Sequence, residues 1–140
     1  MRRVAALLTL LWSSTFPALA QDGPLGIAYV QAPEMGGGVC FGVDARQTID
    51  CAQSICVRDT GLEAADCIVE GWCSPMRWTA DIFVQHNEGP HWHAIQCGWS
   101  TEDKLYEAVK LFCDEDYFLE CSVTRVWNPQ GEAQEVKSKT

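Results

Sequence analysis

Three histidines, His86, His91 and His93, fall within eight positions of one another. On a strand, His91 and His93 would project to one face. With His86, and with Glu88 or Asp81 beside them, they could hold zinc or copper. A polar hairpin tip with solvated imidazoles would carry the same residues, and no complete ligand motif surrounds them. Imidazoles also serve as acid–base groups, and Ser74, Ser100 and Ser122 are the hydroxyls a hydrolase could enlist. None of the three sits in a Gly-x-Ser-x-Gly setting. They read more simply as a loop residue, a helix cap and a strand surface. The acidic runs Asp114-Glu115-Asp116 and Glu63 to Asp66 lack the pattern of a calcium loop and read as solvated turns.

The other reactive residues are the eight cysteines Cys40, Cys51, Cys56, Cys67, Cys73, Cys97, Cys113 and Cys121. Their number is even, and they follow an N-terminal segment that reads as a secretory leader. This combination implies an oxidising compartment and a disulfide framework. No Cys-x-x-Cys motif for redox exchange or zinc is present.

The elements that must position these groups occur in two similar series. Ile27–Gln31 and Asp81–Gln85 are short segments rich in aromatic and β-branched residues, as strands require. Gly36-Gly37-Gly38 and Asn87-Glu88-Gly89-Pro90 follow them as hairpin signals. Second strands carry Cys40 and Cys97. Asp44 to Gln47 then has the form of a capping box, and Ala45, Ile49, Ala52, Ile55 and Cys56 recur at helical spacing. In the second series Ser100 or Thr101 can cap, and Leu105, Ala108, Val109 and Phe112 form the apolar stripe. Each helix ends near a cysteine, Cys56 or Cys113, and a strand opening with Cys67 or Cys121 follows. Cys40 to Cys56 and Cys97 to Cys113 both span sixteen positions.

The pattern predicts an α+β fold. Two β-β-α-β repeats, over about residues 25–73 and 76–127, would form a mostly antiparallel sheet with two helices on one face, stapled by disulfides. Residues 21–127 would make one domain, and residues 128–140 a flexible tail after the stop at Asn128-Pro129. Eight cysteines can pair in about a hundred ways. The repeat favours Cys56–Cys67 and Cys113–Cys121, which occupy equivalent places. Cys40, Cys51, Cys73 and Cys97 then remain; Cys40–Cys51 could clamp strand to helix within the first unit, which would leave Cys73–Cys97 to tie the two units together.

Met1-Arg2-Arg3, an apolar run from Val4 to Trp12, and Ala18-Leu19-Ala20 are the three parts of a cleaved signal peptide over residues 1–20. This predicts a periplasmic or secreted protein without membrane insertion. The whole chain has a formal charge of −9, and loss of Arg2 and Arg3 with the leader makes the mature chain two units more negative. Such a charge repels nucleic acid and anionic membranes and favours solubility.

The residues Gly26-Ile27-Ala28-Tyr29, the glycine-rich turn, the helix ending at Cys56, Cys67-Ile68-Val69 and Cys73 resemble a family of secreted bacterial modules, domain of unknown function 4189. Gly98-Trp99-Ser100, the helix around Ala108, and Cys113 with Cys121-Ser122-Val123 continue the resemblance over about residues 25–127. Cys40, Cys51 and Cys97 depart from its pattern. The resemblance implies a signal-bearing disulfide module and no catalytic residues.

These readings converge on a non-enzymatic binding or interaction module, of inhibitor or immunity type, with no cofactor. Its partner, a protein or a small ligand, and its oligomeric state are not specified by the sequence. Trp78 and Trp92, if exposed around the second hairpin, would suit a partner contact. The alternatives are a metal-binding protein using His86, His91 and His93, and a small hydrolase.

Overall fold

The structure is a computed structural model, and it describes residues 23–137. The signal peptide expected over residues 1–20 therefore lies outside the described residues. Strands β1 (Gly26–Ala32) and β2 (Gly36–Gly42), helix α1 (Ala45–Thr60) and strand β3 (Ile68–Cys73) make the first unit. Strands β4 (Trp78–His86) and β5 (His91–Trp99), helix α2 (Glu102–Phe112) and strand β6 (Phe118–Trp127) make the second, and a short strand β7 (Ala133–Gln134) follows. The α+β class and the β-β-α-β order thus hold in both units, and all strand pairing is antiparallel.

The strands do not join into one sheet. They divide into a three-stranded sheet of order β2-β1-β3 and a four-stranded sheet of order β5-β4-β6-β7. Strand β1 shows why. All seven of its residues are buried, so both faces need cover. Ala28, Val30 and Ala32 pack with Ala52 and Cys56 of α1. By alternation Ile27, Tyr29 and Gln31 face the opposite way, and Ile27 packs with Trp127, Ile95 and the linker residue Met76. On the second sheet Ala80, Ile82, Val84 and Val126 pack with Leu105 and Val109 of α2. The helices therefore lie on the two outer faces and the sheets pack against each other, giving four layers in the order helix, sheet, sheet, helix.

The helix ends follow local chemistry. Asp44 caps α1, its carboxylate accepting from the Gln47 N–H at 2.8 Å. Helix α1 runs one turn past Cys56 because Gly61, at φ 73°, supplies the left-handed residue that closes it, its N–H donating to Val57. Thr101, not Ser100, caps α2. The glycine run belongs to β2 rather than to a turn alone, and Gly38 admits α1 closely. A methyl there would meet the Ala52 carbonyl.

All eight cysteines pair, as Cys40–Cys51, Cys56–Cys67, Cys73–Cys97 and Cys113–Cys121. The first two tie α1 to its sheet on either side. The third links strand β3 of one sheet to β5 of the other, both of them edge strands.

The expectation of a loose tail after Trp127 needs correction. The Asn128 side chain accepts from the N–H groups of Gln130 and Glu132, each at 3.0 Å, and Gly131 takes φ 78°. This makes a hairpin turn of what reads as a stop, and it returns β7 alongside β6. Val136 then packs against the α2 core, and the Lys137 N–H donates to the Tyr106 hydroxyl at 3.0 Å. Residues 138–140 lie outside the described residues.

Candidate functional site

Asp81 sits in the middle of β4 on the face turned toward the first sheet, fully buried. A carboxylate there must be paired and hydrogen-bonded to be tolerated. Its partners come from the two neighbouring strands. Phe83 pairs with His93 on β5, and Asp81 pairs with Arg125 on β6. The His93 Nδ1 lies 2.7 Å from one carboxylate oxygen. The Arg125 guanidinium donates to the other through Nε at 2.9 Å and Nη2 at 2.7 Å. Burial alone would push the Asp81 carboxyl up. Hydrogen bonds and charge from His93 and Arg125 more than reverse this and hold it below the usual carboxylate range.

The network continues into the first sheet. The His93 backbone N–H donates to Gln31 Oε1 at 2.6 Å, and the Tyr29 hydroxyl donates to the same oxygen at 3.5 Å. Gln31 Nε2 in turn donates to Glu70 at 3.5 Å. Burial, with the negative charge of Asp81, pushes the Tyr29 phenol above its ordinary range and keeps it a donor.

Beside this network the edges of β3 and β5 stand apart and leave a cleft of about 270 Å³. Tyr29, Glu70, Trp72, His93 and Ile95 line it, and Cys73 and Cys97 close one end. Trp72 packs over Gly26, where any side chain would collide with its ring. In its neutral form His93 gives its Nδ1 proton to ionised Asp81 and keeps Nε2 as an acceptor. That nitrogen has no protein partner and is not a buried orphan. A larger groove of about 440 Å³ lies along α2 and β6. Val109, Val123 and Val136 make it mainly apolar, and no buried polar network reaches it.

The three histidines do not converge. His91 stacks against Phe83 on the same face as His93, with ring centres 5.6 Å apart. His86 lies on the opposite face with Tyr117 and Trp92, its Nδ1 accepting from the Glu88 N–H at 3.1 Å. Among the described residues no group of three His, Cys, Asp or Glu side chains could hold a metal ion. The strand alternation that puts His91 and His93 together puts His86 across the sheet.

Trp78 and Trp92 are not a free surface either. Both pack against the α2 core, and Trp92 meets Phe118 edge-on at 5.9 Å. Trp92 pairs with Val84, so its indole faces α2 rather than solvent.

A hydrolase working through a serine or thiol would need that nucleophile beside the His93–Asp81 pair. None of the residues lining the cleft is a serine, a threonine or a free thiol. Ser74 is exposed, Ser100 precedes α2 outside the cleft, and the Ser122 hydroxyl donates to Glu120 at 3.1 Å.

Comparison with family profiles, curated proteins and solved structures returns no match for this chain. Its four disulfides suit an oxidising compartment. No described helix is long and apolar enough to cross a membrane.

Proposed function

We propose that the protein is exported by its leader, works in the periplasm or outside the cell, and acts as a non-enzymatic binding module whose site is the cleft between the two sheets. The observation that carries this reading is the buried Asp81 carboxylate. It fixes His93 from one side, Gln31 fixes the His93 backbone from the other, and Cys73–Cys97 clamps the strands that form the walls. A site held this way loses little conformational entropy on binding. The pairing of a histidine with an acid, without a side-chain nucleophile beside it, does not fit covalent catalysis. An inhibitor or immunity role is a concrete form of the same reading, with the cleft receiving a side chain of the partner.

The two units are read as a duplication, supported by their shared element order and the equal spacing of Cys40–Cys56 and Cys97–Cys113. Kinship with domain of unknown function 4189 belongs to the same proposal.

The test is a fragment screen on the ¹⁵N-labelled mature protein, read from backbone amide shifts. Binding should move the amides of residues 70–73 and 93–95 together. Hits that gather along the α2 groove, or nowhere, would contradict the assignment.

A further inference from the structure

We propose that the cleft takes a small organic cation, a protonated amine or a guanidinium group on an apolar stem. The inference rests on reading the cleft as the binding site, and it concerns the ligand's chemistry.

The cleft offers an open carboxylate and no lysine or arginine. Glu70 is exposed, and its one side-chain contact is the long hydrogen bond from Gln31 at 3.5 Å, so most of its acceptor capacity is open. The His93 ring also lines the cleft, its Nδ1 held by Asp81. No lysine or arginine lines the cleft. The one guanidinium in the adjoining network, Arg125, is committed to Asp81 and lies over Trp127 at 5.2 Å. An anion would therefore meet Glu70 with no lysine or arginine to offset the repulsion. A cation would find the Glu70 carboxylate, open to a charge-assisted hydrogen bond.

The remaining wall, from Ile27 and Ile95, is apolar and suits a hydrocarbon stem. The volume of about 270 Å³ falls just below the range of drug-sized ligand sites, which begins near roughly 300 Å³. The occupant is accordingly of side-chain size. The strongly acidic chain adds long-range attraction for positive ligands. Two sources could present this group, a free small amine or a basic side chain projecting from a partner.

The test is titration of the mature protein with benzylguanidinium, benzyl alcohol and benzoate, followed by amide shifts and calorimetry. Benzylguanidinium should move residues 70–73 and 93–95 and bind at least about tenfold more tightly than the other two, the effect of one charge-assisted hydrogen bond. Glu70→Gln should remove most of that advantage, and because Glu70 is exposed the variant should fold normally. A capped Gly-Arg-Gly peptide forms a second arm. Tighter binding than benzylguanidinium points to a partner's arginine, and weaker binding to a free amine. Equal or tighter binding of benzoate or benzyl alcohol in the same cleft, or no effect of Glu70→Gln, overturns the cation while leaving the cleft as the site. If no compound of any charge moves the cleft amides, the site assignment fails as well.

Discussion

The two units share an order of elements and differ in how each helix is held. Beneath α1 the core consists of small residues: Ala28, Val30, Ala32, Ala52 and the half-cystines Cys40, Cys56 and Cys67. Gly38 lets the helix approach closely, and two disulfides fasten it. Beneath α2 the core has Ile82, Val84, Leu105, Val109 and Val126, ringed by Trp78, Trp92, Trp99 and Phe118, with one disulfide. A thin core removes less apolar area from water, so covalent ties carry more of the first unit's stability. The second unit relies on side-chain volume.

Removing the disulfides pairwise should expose this difference most strongly. Cys56 and Cys67 are almost fully buried, so the double change to alanine removes a crosslink and leaves a cavity. It should cost about 4 kcal/mol in urea melts. The matching change at Cys113 and Cys121, which are only partly buried, should cost about 2 kcal/mol. Equal costs would break the comparison. Next in size, Gly38→Ala should cost about 3 kcal/mol by forcing α1 off its sheet, with amide shifts concentrated in α1 and β2 and the α2 unit little changed.

Between the units lies the polar network, and Asp81→Asn should cost about 2 kcal/mol by weakening the hydrogen bonds of Arg125 and His93. Because the Asp81 carboxyl is held below its ordinary range in the folded chain, its contribution is present above about pH 4, the unfolded value. It is lost as the pH falls through the folded value. The gap between wild type and variant in denaturant melts should accordingly be full at neutral pH and close in acid. A gap that widens in acid would contradict the pairing.

The smallest effect separates the helix ends. Helix α1 closes on Gly61 in the left-handed region, whereas α2 closes on Cys113 in ordinary helical geometry. Gly61→Ala should cost about 1 kcal/mol and fray only the last turn of α1, visible as faster amide exchange there.

Much of the fold was legible because cysteine spacing and strand–helix periodicity repeat. The same repeat, by alignment of Cys56–Cys67 with Cys113–Cys121, led to two of the four disulfides, and a strand-to-helix clamp Cys40–Cys51 left Cys73–Cys97 as the last. The division into two sheets was less visible, although Ile27–Gln31 is buried on alternate faces and hardly alternates in polarity. A strand of that kind signals cover on both sides. The hairpin at Asn128 was read as a stop because Asn-Pro ends a helix or strand as readily as it opens a turn.

At the site, Asp81 and His93 were both named from sequence, but as metal ligands. Their true partners, Gln31 and Arg125, are brought in by sheet packing and by the register of β6, which no local pattern encodes. The available signal was a carboxylate, Asp81, set between Ala80 and the apolar run Ile82-Phe83-Val84. Such residues are buried only when paired. Trp78 and Trp92 were misplaced because exposure depends on which face meets α2.

The central claim is that buried Asp81 fixes the His93 imidazole, in its neutral form, with the proton on Nδ1 and with Nε2 free of any protein partner. Long-range ¹H–¹⁵N spectra of the histidine side chains, recorded on the neutral form, test this directly. The account predicts a protonated Nδ1 and a bare Nε2 for His93, with the preference lost in Asp81→Asn. A His93 ring protonated on Nε2, or one indifferent to Asp81, would contradict it.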